Sequence, residues 1–92
     1  MNKCVKITIT GQLHEGFLTT VIQKHARKLS IEGTANLMPP NKAKIIACGT
    51  KENVDDFVDT IHKEAAHLPI EDIEVEPFLR DKDYRDAFRV IE

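Results

Sequence analysis

Residues 3–29 read KCVKITITGQLHEGFLTTVIQKHARKL, and their hydrophobic period changes partway along. Over residues 3–10 the period is two. Val5, Ile7 and Ile9 fall on one side and Cys4, Lys6, Thr8 and Thr10 on the other, the pattern of a half-buried strand. From Leu18 the period lengthens. Leu18, Val21, Ile22, Ala26 and Leu29 recur at helical spacing with Gln23, Lys24, Arg27 and Lys28 opposite, which predicts an amphipathic helix. Gly11 and Gly16 bound the turn between the two. Such a turn is where small α/β domains hold anions, because backbone N–H groups at a helix start are free to point at them. Yet residues 10–21, TGQLHEGFLTTV, contain neither arginine nor lysine.

Working outward, residues 33–38 predict a short strand. Pro39, Pro40, Asn41 and Lys42 break it as a hairpin turn, since neither proline can donate to a ladder, and residues 43–48 return. Thr50 is placed to cap a second helix, with Glu52, Asp55 and Asp56 at its positive end. Val54, Phe57, Val58, Ile61, Ala65 and Leu68 form its apolar stripe, and Pro69 ends it. Residues 70–76 alternate Ile73 and Val75 against Asp72, Glu74 and Glu76. Pro77 and the charged run RDKDYRD, residues 80–86, read as a loop, and residues 88–91 as a terminal strand. The order is βαββαβ with one extra strand. Two helices with single apolar faces can cover only one side of a sheet. The expected fold is therefore α+β, a ferredoxin-like two-layer sandwich with an antiparallel five-stranded sheet and two helices on one face, a single domain over residues 1–92.

Composition bounds the functions open to such a chain. Its 92 residues are 41% hydrophobic and lack tryptophan, so aliphatic side chains must do most of the packing. Apolar runs are far too short for a membrane span, and the alternating N-terminus is unlike a signal peptide. A cytoplasmic monomer with reduced thiols is the expectation. The net charge of −2 conceals an asymmetry. Residues 1–51 carry eight Lys/Arg against two Asp/Glu, and residues 52–92 carry five against thirteen. A dipolar chain of this kind lacks the unopposed basic surface that nucleic acid requires, and its halves attract one another. An RNA-binding sheet would also show aromatics, whereas the open face is expected to carry Lys6, Thr8, Lys44 and Ile46. Cys4, Cys48 and the four histidines show no metal-ligand spacing, so no metal and no cofactor are expected.

Taken together, several segments make the chain resemble the acylphosphatase family. These are ARKLSI at residues 26–31, Gly33, Ala47 with Gly49, then Val54, Phe57 and Ile61, IEDIEVE at residues 70–76, and Phe88-Arg89-Val90. Their order and spacing carry the resemblance across nearly the whole sequence. It implies a phosphate loop, G-x-V-Q-G-V-G-F-R, over residues 11–19. Gly11 and the hydrophobe Leu13 are kept. The family's cradle glycines fall on Glu15 and Phe17, its phosphate-clamping arginine on Thr19, and its water-orienting asparagine on Leu37, one residue past Asn36. The resemblance also makes the first and third strands antiparallel neighbours. Cys4 and Cys48 are then expected on the open side of the sheet, with Cα atoms close enough for a bridge.

With both catalytic positions replaced, no catalytic residue is assigned. The reading is an acylphosphatase-like protein without catalysis, binding an unknown protein or small anionic ligand through His14, Glu15, Gly16, Phe17, Leu18 and Thr19 with the neighbouring Asn36. The alternative is a genuine acylphosphatase. Its chemistry would be relocated to Lys3, Lys6, Lys42 or Lys44 as the cation and Asn36 as the water contact. A third reading keeps another anion at the N-terminus of the first helix. Phe17 is open between two roles, an exposed anchor and a core side chain at the helix start.

Overall fold

The computed structural model describes residues 2–13, 16–79 and 87–91. Strand β1 (Asn2–Gly11) leads through the turn into a helix. That helix opens as π-helical turns over Leu18–Gln23 and continues as α1 (Lys24–Lys28). Strands β2 (Glu32–Met38) and β3 (Lys42–Thr50) form a hairpin, followed by α2 (Lys51–Ala65), β4 (Ile70–Pro77) and β5 (Phe88–Ile91). The strand order across the sheet is β4-β1-β3-β2-β5. Three of the four pairings are antiparallel, but β2 and β5 run parallel, Gly33 opposite Phe88 through Asn36 opposite Ile91. The sheet is thus mixed, which corrects the all-antiparallel expectation. The polar run at residues 80–86, expected as a loop, lies outside the described residues.

The two-residue alternation in β1 works out as a core face. Val5, Ile7 and Ile9 are buried, and Ala35, Ala43, Ile45 and Ala47 join them from β2 and β3. Leu18, Ile22 and Ala26 press down from the first helix, and Val54, Phe57 and Ile61 from α2. Phe57 meets Phe88 edge to face with ring centres 6.1 Å apart, a geometry that the ring quadrupoles favour. The α2 helix begins as its sequence predicts. Thr50 has extended backbone, and its Oγ1 accepts the Asn53 N–H at 3.1 Å.

On the opposite face of the sheet, Ile46 and Cys48 are buried too. They pack with Cys4 beneath Phe78, whose N–H donates to the Cys4 carbonyl at 3.1 Å. Alternation alone left this face without an aromatic; the chain leaving β4 folds Phe78 onto it. Cys4 and Cys48 are direct cross-strand partners with Cα atoms 4.1 Å apart, close to the spacing of a non-hydrogen-bonded antiparallel pair. They are joined as a disulfide, where reduced thiols were expected. Among the described residues no helix is long and apolar enough to cross a membrane.

Candidate binding site at the β1–helix turn

Gly11 ends β1 where three segments converge. Its N–H donates to the Asn41 carbonyl at 2.8 Å, and the next N–H, of Gln12, donates to Pro69 at 3.1 Å. A Cβ on residue 11 would lie 2.6 Å from the Pro69 carbonyl oxygen and 2.7 Å from the Ile70 Cα, so only glycine fits. This junction seats the turn between the β2–β3 hairpin tip and the start of β4.

Beyond the turn, Gly16 adopts φ 83, which glycine reaches without steric cost. Its carbonyl is the hub of the helix start. It accepts the N–H groups of Thr19 at 3.1 Å and Thr20 at 2.7 Å, and the hydroxyls of the same residues at 3.0 and 2.7 Å. Four donors therefore lie within reach of one oxygen with two lone pairs. The cause is local. Phe17 at the N-cap brings no capping side chain, and two threonines in the first turn fold back onto the Gly16 carbonyl. The N–H groups of Thr19 and Thr20 are consequently engaged inside the turn. This removes two donors from the reading that places an anion at this helix start.

The structure treats the other sequence-named residues unequally. Phe17 and Leu18 are both only 2% exposed and belong to the core, which resolves the open choice at Phe17 in favour of packing. Those two side chains are therefore closed to a partner. His14 and Glu15 lie outside the described residues. Asn36 and Leu37 point to opposite faces of β2, as strand alternation demands. Asn36 stands beside Lys44 on the open face of the sheet. Leu37, 44% exposed, lines a hollow of about 100 Å³ with Gly11, Leu13, Pro39, Pro40 and Lys42. That hollow, between the turn and the hairpin, was not foreseen. Its sequence signal was the PPN turn, whose two prolines have no N–H to donate to a ladder.

The lysines of the relocated-chemistry reading are dispersed. Lys3 lies at the far end of β1, roughly 26 Å from Gly11 at about 3.3 Å per residue, and binds Asp55 at 2.8 Å. Lys6 reaches Glu76 at 3.6 Å, and Lys44 sits on the open face. Only Lys42 borders the hollow. Among the described residues no group of three or more His, Cys, Asp or Glu side chains is placed to hold a metal ion.

A two-layer α+β sandwich with a glycine-bounded turn feeding its first helix defines a class, and sequence comparison agrees with it. The acylphosphatase family model matches residues 5–90, and the chain belongs to the acylphosphatase family. No curated protein matches it significantly. Among solved structures it is similar to an acylphosphatase from Bacillus subtilis, at 17% identity with 100% of both chains covered and a TM-score of 0.83. An acylphosphatase from Coxiella burnetii aligns at 19% identity over 98% of this chain and 93% of the other, with a TM-score of 0.81. Full-length HypF in its phosphate- and nucleotide-bound form covers the whole chain at 18% identity and TM-score 0.80, using 12% of its own length. At these identities the likeness is one of fold.

Proposed function

We propose that this member of the acylphosphatase family does not hydrolyse acyl phosphates and instead binds a partner group in the hollow between the β1–helix turn and the β2–β3 hairpin. The observation that carries this reading is Thr19. At the position of the family's arginine it offers a neutral hydroxyl, already bound to the Gly16 carbonyl. An acyl phosphate carries roughly two negative charges near neutral pH. Its transfer to water depends on positioning and on neutralising that charge. Loss of one such donor commonly costs about 3 kcal/mol of barrier, or on the order of a hundredfold in rate. Here the water-orienting position is also apolar, because Leu37 faces the hollow.

What remains favours a different ligand. Leu13, Leu37, Pro39 and Pro40 supply apolar walls, and Lys42 supplies one cation at the edge. The space corresponds to roughly three waters at about 30 Å³ each. It suits a compact apolar group carrying a carboxylate, presented by a small molecule or a protein side chain.

Benzoyl phosphate and benzoate test both halves of the proposal. The purified chain is expected to leave benzoyl phosphate hydrolysis at the buffer rate. Benzoate is expected to shift amide signals of Leu13, Leu37 and Lys42. A Thr19→Arg/Leu37→Asn double variant restores the two family side chains and is expected to gain hydrolysis. Turnover by the parent at the rate of the Bacillus subtilis enzyme would overturn the first half. If Lys42→Ala then abolished it, the chemistry would have moved to Lys42. Absence of benzoate shifts around the hollow would overturn the second half.

A further inference from the structure

Strand β4 leaves the longest open backbone edge in the described sheet. It pairs with β1 on one side, and among the described residues no strand pairs with the other. Alternate N–H and C=O groups therefore point outward along Ile70–Pro77. Its two faces differ sharply. On the helix side, Ile73 and Val75 stand opposite the buried Ile9 and Ile7, yet Val75 is 40% exposed because the sheet ends there. A hollow of about 360 Å³ continues beside this edge, lined by His62 and Ala65 of α2, Ala66 just past it, and Ile70, Glu71, Asp72 and Ile73. On the open side, Asp72, Glu74 and Glu76 stand opposite Thr10, Thr8 and Lys6. Glu76 reaches Lys6, whereas Asp72 and Glu74 have no ion pair among the described residues.

We propose that this edge receives an extended segment of a partner protein in which basic and aliphatic residues alternate. Added as a sixth strand, the segment bonds to the free N–H and C=O groups of β4. Its aliphatic side chains continue the helix-side surface against Val75 and the hollow. Its basic side chains fall beside Asp72 and Glu74, where opposite charges across strands attract. The charge pattern selects this occupant over a second copy of the chain. Pairing β4 with another β4 brings acidic rows together, which is how outer strands avoid self-association. The same row that repels a copy attracts a basic strand, so attraction and exclusion act together. This surface is separate from the hollow around Leu37 and stands whether or not that hollow binds anything.

The test uses the whole chain and a fluorescein-labelled octapeptide of alternating lysine and valine, titrated by anisotropy at low ionic strength. A second peptide, N-methylated at every residue, keeps the charges and loses the donors. The first peptide is expected to bind and to slow amide exchange across residues 70–77. N-methylation is expected to weaken it at least tenfold. An Asp72→Lys/Glu74→Lys variant, altering two exposed side chains, is expected to weaken it at least tenfold while keeping its unfolding temperature. Equal binding of the N-methylated peptide would overturn the proposal by reducing it to charge attraction without strand addition. Failure of the first peptide to bind, or shifts confined to residues outside 62–77, would overturn it outright.

Discussion

Ser30 is the one described residue other than glycine with positive φ, at 55. It sits just past the first helix, where its N–H donates to Arg27 at 3.3 Å and that of Ile31 donates to Ala26 at 2.8 Å. These two bonds are the Schellman closure of a helix, whose left-handed position usually carries glycine. A side chain there costs about 1–2 kcal/mol relative to right-handed backbone. Replacing Ser30 with Gly is therefore expected to stabilise the protein by roughly 1 kcal/mol, less the entropy glycine adds to the unfolded chain. Urea unfolding at equal m-value reads the gain; a loss would show that the Ser30 side chain makes a compensating contact. Thr19 illustrates the same scale in the turn. Its hydroxyl bonds to the Gly16 carbonyl at 3.0 Å, and on the proposed reading this is where an arginine of the family would stand.

Between elements, the decisive link is the bridge from β1 to β3. These central strands are paired along their length, from Asn2 opposite Thr50 to Thr10 opposite Lys42. The disulfide between Cys4 and Cys48 closes 44 residues of chain and lies under Phe78 with Cys48 buried. A loop of that length restricts the unfolded ensemble enough to stabilise the fold by about 2–4 kcal/mol. A reductant, or a Cys4→Ala/Cys48→Ala variant, is expected to lower the guanidinium midpoint accordingly. An unchanged midpoint on reduction would show that the bridge contributes nothing to stability.

Across the whole molecule, the two oppositely charged halves of the sequence meet. All four ion pairs among the described residues join the basic first half to the acidic second: Lys3 and Lys51 with Asp55, Lys6 with Glu76, and His25 with Glu64. Exposed pairs of this kind individually contribute little. Asp55 takes part in two of them. Hydrogen bonds from Lys3 and then Lys51 hold its carboxyl below the usual carboxylate range, against an opposing effect of desolvation. A folded pKa below the unfolded one means that Asp55 favours folding above the ordinary carboxylate pKa. That contribution is lost as pH falls through the lowered folded value. Asp55→Asn is therefore expected to destabilise the protein at about pH 7 and to match the parent near pH 2, below the usual carboxylate range. Thermal unfolding of both proteins across that interval checks the sign; a difference independent of pH would refute it.

Local pattern in the chain sets which residues face inward and where most elements begin. Period-two alternation put Val5, Ile7 and Ile9 on the core face, the helical stripe did the same for Val54, Phe57 and Ile61, and Thr50 announced the start of α2. These are local properties, set by how side chains repeat along one element. The closeness of Cys4 and Cys48 was legible as well, through the family's pairing of β1 with β3. The candidate site was legible only through the family resemblance, which puts the family's arginine on Thr19 and its asparagine on Leu37. Tertiary structure alone decided the rest. The parallel run of β5 beside β2 follows from the path the chain takes across the sheet, and four residues carry no record of that path. Phe17 became core and Phe78 a cover for the disulfide because distant segments met them. Leu37 became a wall because the hairpin tip and the turn converge at Gly11. Periodicity reports which side of its own element a residue occupies, while the neighbour it meets there is fixed by contacts far away in the chain.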